Sequence, residues 1–240
     1  MKQTESNLTC KELSFTYPGQ KKPVLQDLSF SVDMGQFVVL CGASGSGKTT
    51  LLRQLKPALT PAGKKSGTIT LGGLSLEELS PKEQAQRIGF VLQAPEQQVV
   101  TDRVWHELAF GLESLGLSRE QIRLRVAEMV SFFGMEDWFY EEVSHLSGGQ
   151  KQLLNVASVL VMQPDVLVLD EPTSQLDPVA AANFFDLLVR INRQLGITIL
   201  LTEHRLEEVL PLCDRVLVLE EGRLLADGTA SEVGQALKAM

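Results

Sequence analysis

Between Phe37 and Leu55 the chain changes character abruptly, and that change restricts the fold more than any other feature. Five apolar residues, Phe37-Val38-Val39-Leu40-Cys41, run straight into Gly42-Ala43-Ser44-Gly45-Ser46-Gly47-Lys48-Thr49. An unbroken apolar run of strand length fits a strand buried on both faces, as in a parallel sheet. The segment from Thr49 to Leu55 then reads as a helix closed by Pro57. The octet between them satisfies G-x-x-x-x-G-K-[ST], whose glycines let backbone N–H groups turn inward around phosphate oxygens. The following helix directs its positive end at the same anions. In this arrangement Gly42 to Thr50, including Ala43, Ser44, Gly45, Ser46 and Gly47, form the cradle. Lys48 reaches the β- and γ-phosphates, and Thr49 holds Mg²⁺. A strand before and a helix after the motif make a mere surface turn a poor account of it.

The rest of the chain points to the same class. Leu8–Phe15 and Val24–Val32 read as strands separated by the turn signal Tyr17-Pro18-Gly19. Gly67–Gly73 alternates polar and apolar, and Ile88–Leu92 is another buried strand. From Val99 to Asp137 the pattern is helical, with Ile122, Val126, Met129, Val130 and Phe133 at spacings of three and four. A helix, Lys151–Met162, follows Gly149. Strand-like Val166–Leu169, Thr198–Leu201 and Val216–Leu219 then alternate with helical Val179–Leu195 and Leu206–Leu210, which predicts a parallel α/β sheet with helices on both faces.

Two further segments carry chemistry. Val166-Leu167-Val168-Leu169 ends in Asp170-Glu171, which sets two carboxylates at the C-terminal edge of a parallel strand, where open α/β sheets bind ligands. Asp170 suits an Mg²⁺ shell, and Glu171 suits polarising a water for in-line attack on a γ-phosphate. Leu146-Ser147-Gly148-Gly149-Gln150 places a serine and two glycines at a helix start, a second anion cradle.

With both cradles and the acid pair in view, the chain resembles the nucleotide-binding subunits of ATP-binding-cassette (ABC) transporters from near Leu8 to Thr229. The resemblance implies a P-loop NTPase core of α/β class, with a parallel sheet, an N-terminal antiparallel β subdomain and an inserted α-helical subdomain. Residues 1–240 then form a single ABC ATPase domain, with 6–98 and 163–240 as the RecA-like core and antiparallel part and 99–162 as the helical part. It implies roles residue by residue. Tyr17 falls at the position that stacks on adenine, and Gln93 at the glutamine that touches Mg²⁺ and reports to the membrane partner. Ser174-Gln175-Leu176-Asp177 matches the loop that crosses a dimer interface, with Gln175 where alanine is commoner. His204 matches the switch histidine that contacts the γ-phosphate, flanked by Glu203 and Arg205 in place of the frequent Thr-His-Asp. Lys48, Glu171 and His204 become the catalytic group. ATP is then shared between the Gly42–Thr50 cradle of one subunit and Ser147, Gly148, Gly149 and Gln150 of a second. His106 and His145 read as surface or packing residues, and Cys41 as a packed strand residue.

Composition narrows the partners. Among 240 residues the net charge is −8, which argues against wrapping nucleic acid, since that needs a basic face. No apolar run reaches membrane-helix length, and Met1–Asn7 lacks the basic start and apolar core of a leader, so any membrane role acts through an integral membrane partner at the cytoplasmic face. Cys10, Cys41 and Cys213 make no CxxC or zinc spacing and read as reduced thiols. The stretch from Gln93 to Glu113, with Pro95-Glu96-Gln97-Gln98-Val99-Val100 at its centre, is similar to the ATPases of energy-coupling-factor (ECF) importers, which serve vitamins and transition metals. That resemblance implies an importer ATPase, stand-alone or half of a fused pair, with the membrane subunit contacting Val99, Val100, Val104 and Leu108. An exporter ATPase is the runner-up. A soluble non-transport ABC ATPase is a further alternative; against a repair or chromosome type, the span from Thr49 to Leu146 holds neither long heptads nor paired cysteines, and against a translation type, which carries two cassettes and basic linkers, there is one cassette and a charge of −8. Intact Lys48, Asp170, Glu171 and His204 argue against a clamp that binds ATP without hydrolysing it.

Overall fold

A computed structural model describes residues 6–238; Met1–Glu5, on which part of the leader argument rests, and Ala239–Met240 lie outside the described residues. The chain begins with β1 (Ser6–Thr16) and β2 (Leu25–Asp33), then runs through β3 (Phe37–Cys41) into α1 (Lys48–Gln54). It continues with β4 (Lys64–Leu71), β5 (Leu74–Ser75), α2 (Pro81–Arg87) and β6 (Ile88–Val91). Three helices follow, α3 (Val104–Ser114), α4 (Arg119–Phe133) and α5 (Gly148–Leu160). The last part is β7 (Val166–Asp170), α6 (Pro178–Leu195), β8 (Thr198–Thr202), α7 (Leu206–Val209), β9 (Arg215–Glu220), β10 (Arg223–Gly228) and α8 (Ala230–Lys238).

These strands form two sheets. One is antiparallel, ordered β2-β1-β4-β5, and the other is ordered β10-β9-β3-β8-β7-β6. In the second sheet β9, β3, β8, β7 and β6 run parallel, as the alternation of strands and helices requires. The edge strand β10 is antiparallel to β9, so the sheet is mixed rather than wholly parallel. The cause is local: Glu221 (φ 45°) and Gly222 (φ 79°) are both left-handed, the backbone of a two-residue hairpin turn. Glu220 ends β9 and Glu221 begins that turn.

Every residue of β3, β7 and β8 is buried, and the two-residue period divides their side chains between two layers. Val38, Leu40, Val168 and Leu200 pack with Leu8, Leu13 and Phe15 of β1 and with Leu51 and Leu52 of α1. On the other face Val39, Leu167, Leu169, Ile199 and Leu201 pack with Val156 and Leu160 of α5 and with Phe185 and Leu188 of α6. A third cluster joins α3, α4 and α5 through Val104, Leu108, Leu112, Val126, Val130 and Leu154. Each buried aliphatic side chain of this kind contributes roughly 1.5–3 kcal/mol, so the strands carrying the site are firmly anchored on both faces.

The helices start where the caps dictate. Ser118 and Gln121 form a capping box that begins α4, after Gly116 (φ 75°) has ended the turn of α3. Ser147 and Gln150 do the same for α5, so the helix begins at Gly148 and not at Lys151, and both glycines lie in its first turn. Ser80-Pro81-Lys82-Glu83 forms a third box and starts α2, which hydrophobic periodicity does not disclose. The two sheets are tied at both ends of β9, by Gly222 beside the glycine-rich loop and by Arg215 at the opposite end. Gly222 donates its N–H to Ser46 O and accepts from Gln26 N of β2, while Arg215 Nη1 donates to Ser31 O at 2.7 Å.

Candidate nucleotide-binding site

The C-terminal ends of four parallel strands meet at one edge of the mixed sheet, and each delivers one part of the site. From β3 comes the glycine-rich loop. A Cβ on Gly42 (φ 145°) would stand 2.0 Å from Leu219 O, and one on Gly47 (φ 105°) 2.9 Å from Leu25 Cδ2. Only glycine lets the loop pass this close to β9 and β2. The loop borders a pocket of about 250 Å³ lined by Val24, Ser44, Gly45, Gly47, Lys48, Thr49, Thr50 and Glu171. Lys48 folds back over it, donating from Nζ to Gly42 O (2.8 Å) and Ala43 O (3.0 Å). Ser46 Oγ is buried without a hydrogen-bond partner.

From β7 come Asp170 and Glu171, and from β8 come Thr202, Glu203 and His204. Register explains their meeting, since Asp170 pairs directly with Thr202. Asp170 Oδ1 accepts from Thr202 Oγ1 (2.8 Å) and from Thr49 Oγ1 (3.2 Å), linking three elements through one oxygen. Glu171 has a left-handed backbone (φ 47°), uncommon for a non-glycine residue and a cost of order 1–3 kcal/mol. Its N–H is held by both the carbonyl and the hydroxyl oxygen of Thr202, each at 3.1 Å. Its carboxylate is clamped at both oxygens: Gln93 Nε2 donates to Oε2 at 2.8 Å, and His204 Nε2 stands 2.8 Å from Oε1.

Gln93 follows the end of β6 and is carried by a pinned loop. Gln98 accepts from Leu92 N (2.9 Å) and donates to Phe90 O (3.1 Å), covering the free edge of β6. Asn155 of α5 donates to Pro95 O at 3.1 Å. The buried Glu107 carboxylate of α3 accepts from Val100 N (3.1 Å) and Thr101 N (2.8 Å). The Pro95–Val100 stretch is thus fastened to the helices on one side and leads to Glu171 on the other.

The remaining sequence-proposed residues lie as follows. Tyr17 packs edge-on against Phe15, centroids 5.0 Å apart, and its hydroxyl lies 3.0 Å from Thr50 Oγ1, beside the loop. Ser147, Gly148, Gly149 and Gln150 are not among the residues lining the glycine-rich pocket. Gln150 uses its side-chain oxygen on Ser147 N at 2.9 Å, so within this chain it is a cap. His145 is exposed beside Glu141 and Glu142, and His106 lies 3.9 Å from Glu113. Burial pushes the thiols of Cys10 up to about 12 and of Cys213 up to about 11, and raises Cys41, each in the direction that disfavours the thiolate. A larger apolar cleft of about 650 Å³ lies among the helices, lined in part by Trp105, Ile122, Val126 and Phe139, away from the loop. Sequence reasoning missed Thr202, Glu203 and Thr173. The available signal was a run of polar residues, Thr202-Glu203-His204, closing a buried strand at the level of the acid pair.

A glycine-rich loop between strand and helix, a Thr–Asp pair and a clamped carboxylate define a P-loop nucleotide-binding domain. The chain belongs to the ABC transporter family, whose model it matches over residues 25–174, and it is an ABC-type ATPase domain. It is 52% identical over 223 residues to a chain described as an ABC transporter ATP-binding protein in Bacillus anthracis, covering 93% of this chain and 40% of that one. An energy-coupling factor transporter ATP-binding protein, EcfA2, of Methanospirillum hungatei is 38% identical over 95% of this chain and 56% of its own length. The solved structure of CbiO1 of Clostridium perfringens, part of the ABC transporter complex CbiONQ, superposes with a TM-score of 0.87 at 31% identity, over 98% of this chain and 93% of that one. The present chain therefore spans about 40% of the length of its Bacillus relative.

Proposed function

We propose that this chain binds and hydrolyses ATP to drive a membrane importer of the energy-coupling-factor type. The observation that carries the hydrolytic part is the Glu171 carboxylate, held by Gln93 and His204 at the mouth of the glycine-rich pocket. In this reading the loop N–H groups, Ser46 Oγ and Lys48 bind the phosphates, Lys48 exchanging two loop carbonyls for phosphate oxygens. Tyr17 and Thr50 flank the base side. Glu171 accepts the proton of the attacking water, and His204, oriented by Glu171, donates toward the γ-phosphoryl oxygens.

The donor set fits Mg²⁺. Thr49 Oγ1, Asp170 and the Gln93 side-chain carbonyl are hard oxygen donors, Thr49 being bonded to Asp170 and Gln93 to the pocket-lining Glu171. Among the described residues no cluster of three or more His, Cys, Asp or Glu could hold a metal alone, which suits an ion bound partly through phosphates and water. When bound, the ion neutralises charge on the β- and γ-phosphates.

Ser147, Gly148, Gly149 and Gln150 complete the site of a second ATPase subunit across a two-fold axis. Residues 99–162 act as the helical subdomain against a core formed by 6–98 and 163–240. No helix among the described residues is long and apolar enough to cross a membrane. ATP binding closes the dimer, and an integral membrane subunit at the cytoplasmic face receives that closure. Its contact with the helical part includes Val99 and the exposed Val100, whereas Val104 and Leu108, expected there from the sequence, are buried in the cluster of α3, α4 and α5 and cannot meet it. Support for the importer reading comes from the names of the Methanospirillum and Clostridium relatives and from the Pro95–Val100 stretch.

Glu171→Gln should keep ATP binding and lower turnover by roughly 10²–10⁴, the usual contribution of a general base. Wild-type turnover in that variant, measured by phosphate release, removes Glu171 from the role. Purification of the chain from native membranes should recover a compact permease with a small substrate-binding membrane protein. Recovery of a large export permease would replace importer by exporter.

A further inference from the structure

His204 is poorly held by its own surroundings. Its side chain is 59% exposed, so packing does not fix the imidazole that stands 2.8 Å from Glu171 Oε1. The residue before it is the opposite case. Glu203 is only 3% exposed. Its Oε1 accepts from the N–H of His204 (2.8 Å) and of Arg205 (3.4 Å), and its Oε2 accepts from Thr173 Oγ1 at 2.6 Å. Thr173 is fully buried and stands two residues beyond Glu171. Arg205 adds a second tie, donating from Nη2 to Leu176 O at 2.9 Å. Two backbone N–H groups and one hydroxyl call for three acceptor sites, which a carboxylate supplies, and the charge-assisted bonds offset its desolvation.

We propose that Glu203 is a positioning residue for the hydrolytic reaction. By holding the turn that carries His204 it sets the imidazole against Glu171. With Arg205 it locks that turn to the segment Thr173–Leu176, so the two move as one unit. A displacement of Thr173–Leu176 therefore reaches the γ-phosphate side of the site through His204. The proposal rests on the hydrolytic reading above, and its test separates the two.

The test uses the intact protein with Glu203→Ala, Glu203→Gln, Thr173→Val and His204→Ala. Glu203→Ala should lower kcat for ATP about 10–100-fold, the scale of a misplacement near 1 Å, with KM within about threefold of wild type. Glu203→Gln should stay within about threefold in kcat, because its oxygen accepts the two N–H groups and its amide still meets the Thr173 hydroxyl. Thr173→Val should show a smaller loss of the same kind, and it decides the matter if Glu203→Ala does not fold. Added to His204→Ala, Glu203→Ala should cause no further loss, since it acts through the missing imidazole. An unchanged kcat in both Glu203→Ala and Thr173→Val, a loss confined to KM, or additive losses with His204→Ala would each overturn the proposal. A nucleotide-free readout stands apart from turnover: the His204 imidazole ¹H–¹⁵N resonances should shift in Glu203→Ala and not in Glu203→Gln. If wild type hydrolyses no ATP, the proposed function fails, and this spectrum still decides: unshifted resonances in Glu203→Ala defeat the positioning role.

Discussion

At the scale of single residues the site is governed by close approach and by hydroxyls. Gly42 is the sharpest case, because a methyl group there would meet the Leu219 carbonyl on a backbone already at φ 145°. Gly42→Ala should therefore destabilise the chain by about 2–4 kcal/mol, the sum of overpacking and backbone strain, and weaken nucleotide binding as well. Urea denaturation with and without ATP measures both, and a variant of wild-type stability would show that the loop can move off β9. The glycines and Lys48 were legible from the sequence, since a phosphate nest requires a fixed pattern of small residues. Thr202 and Glu203 were not, because their roles depend on the pairing of β7 with β8, which no local pattern reveals. The left-handed backbone of Glu171 was hidden for the same reason: strand register and the two Thr202 oxygens impose it.

At the scale of elements, buried strands and long helices could be read from hydrophobic pattern, and short capped elements could not. The sequence reads α3 and α4 as one helical block, apart from α5; Gly116 and the box at Ser118 divide it. α2 is too short to show a period, yet its end is secured by Lys56, whose Nζ donates to Gln84 O at 2.9 Å, to Ala85 O and to Ile88 O. A cation there also favours the negative end of the helix. Burial nevertheless pushes the Lys56 ammonium down to about 8 from 10.5. Between those two values the unfolded chain binds a proton that the folded chain lacks, so this group makes stability rise with pH across that window. The stability of wild type relative to Lys56→Met should therefore increase from pH 8 to pH 10, measured by urea denaturation of both proteins at each pH. A difference that is flat with pH would mean that the three carbonyls keep the ammonium charged.

At the scale of the whole molecule, the glycine-rich pocket and the Ser147–Gln150 helix start belong to different parts of one chain. Lys48→Ala damages the first and Gly148→Asp the second, so each alone should abolish ATP hydrolysis. Mixed together, they should recover activity, because a mixed pair contains one intact combination. No recovery would put the completing helix on a different polypeptide. The ties between the sheets have another consequence, one of timing. Arg215 reaches Ser31 across 184 residues of sequence, and Gly222 reaches back to Ser46 and Gln26. A ribosome adding about 5–20 residues per second makes the N-terminal sheet and the phosphate loop roughly 10–40 s before their anchors emerge. A nascent chain stalled before β9 would hold the whole glycine-rich motif and still lack the supports that shape it. Competence to bind nucleotide thus arrives late in synthesis, with the C-terminal hairpin.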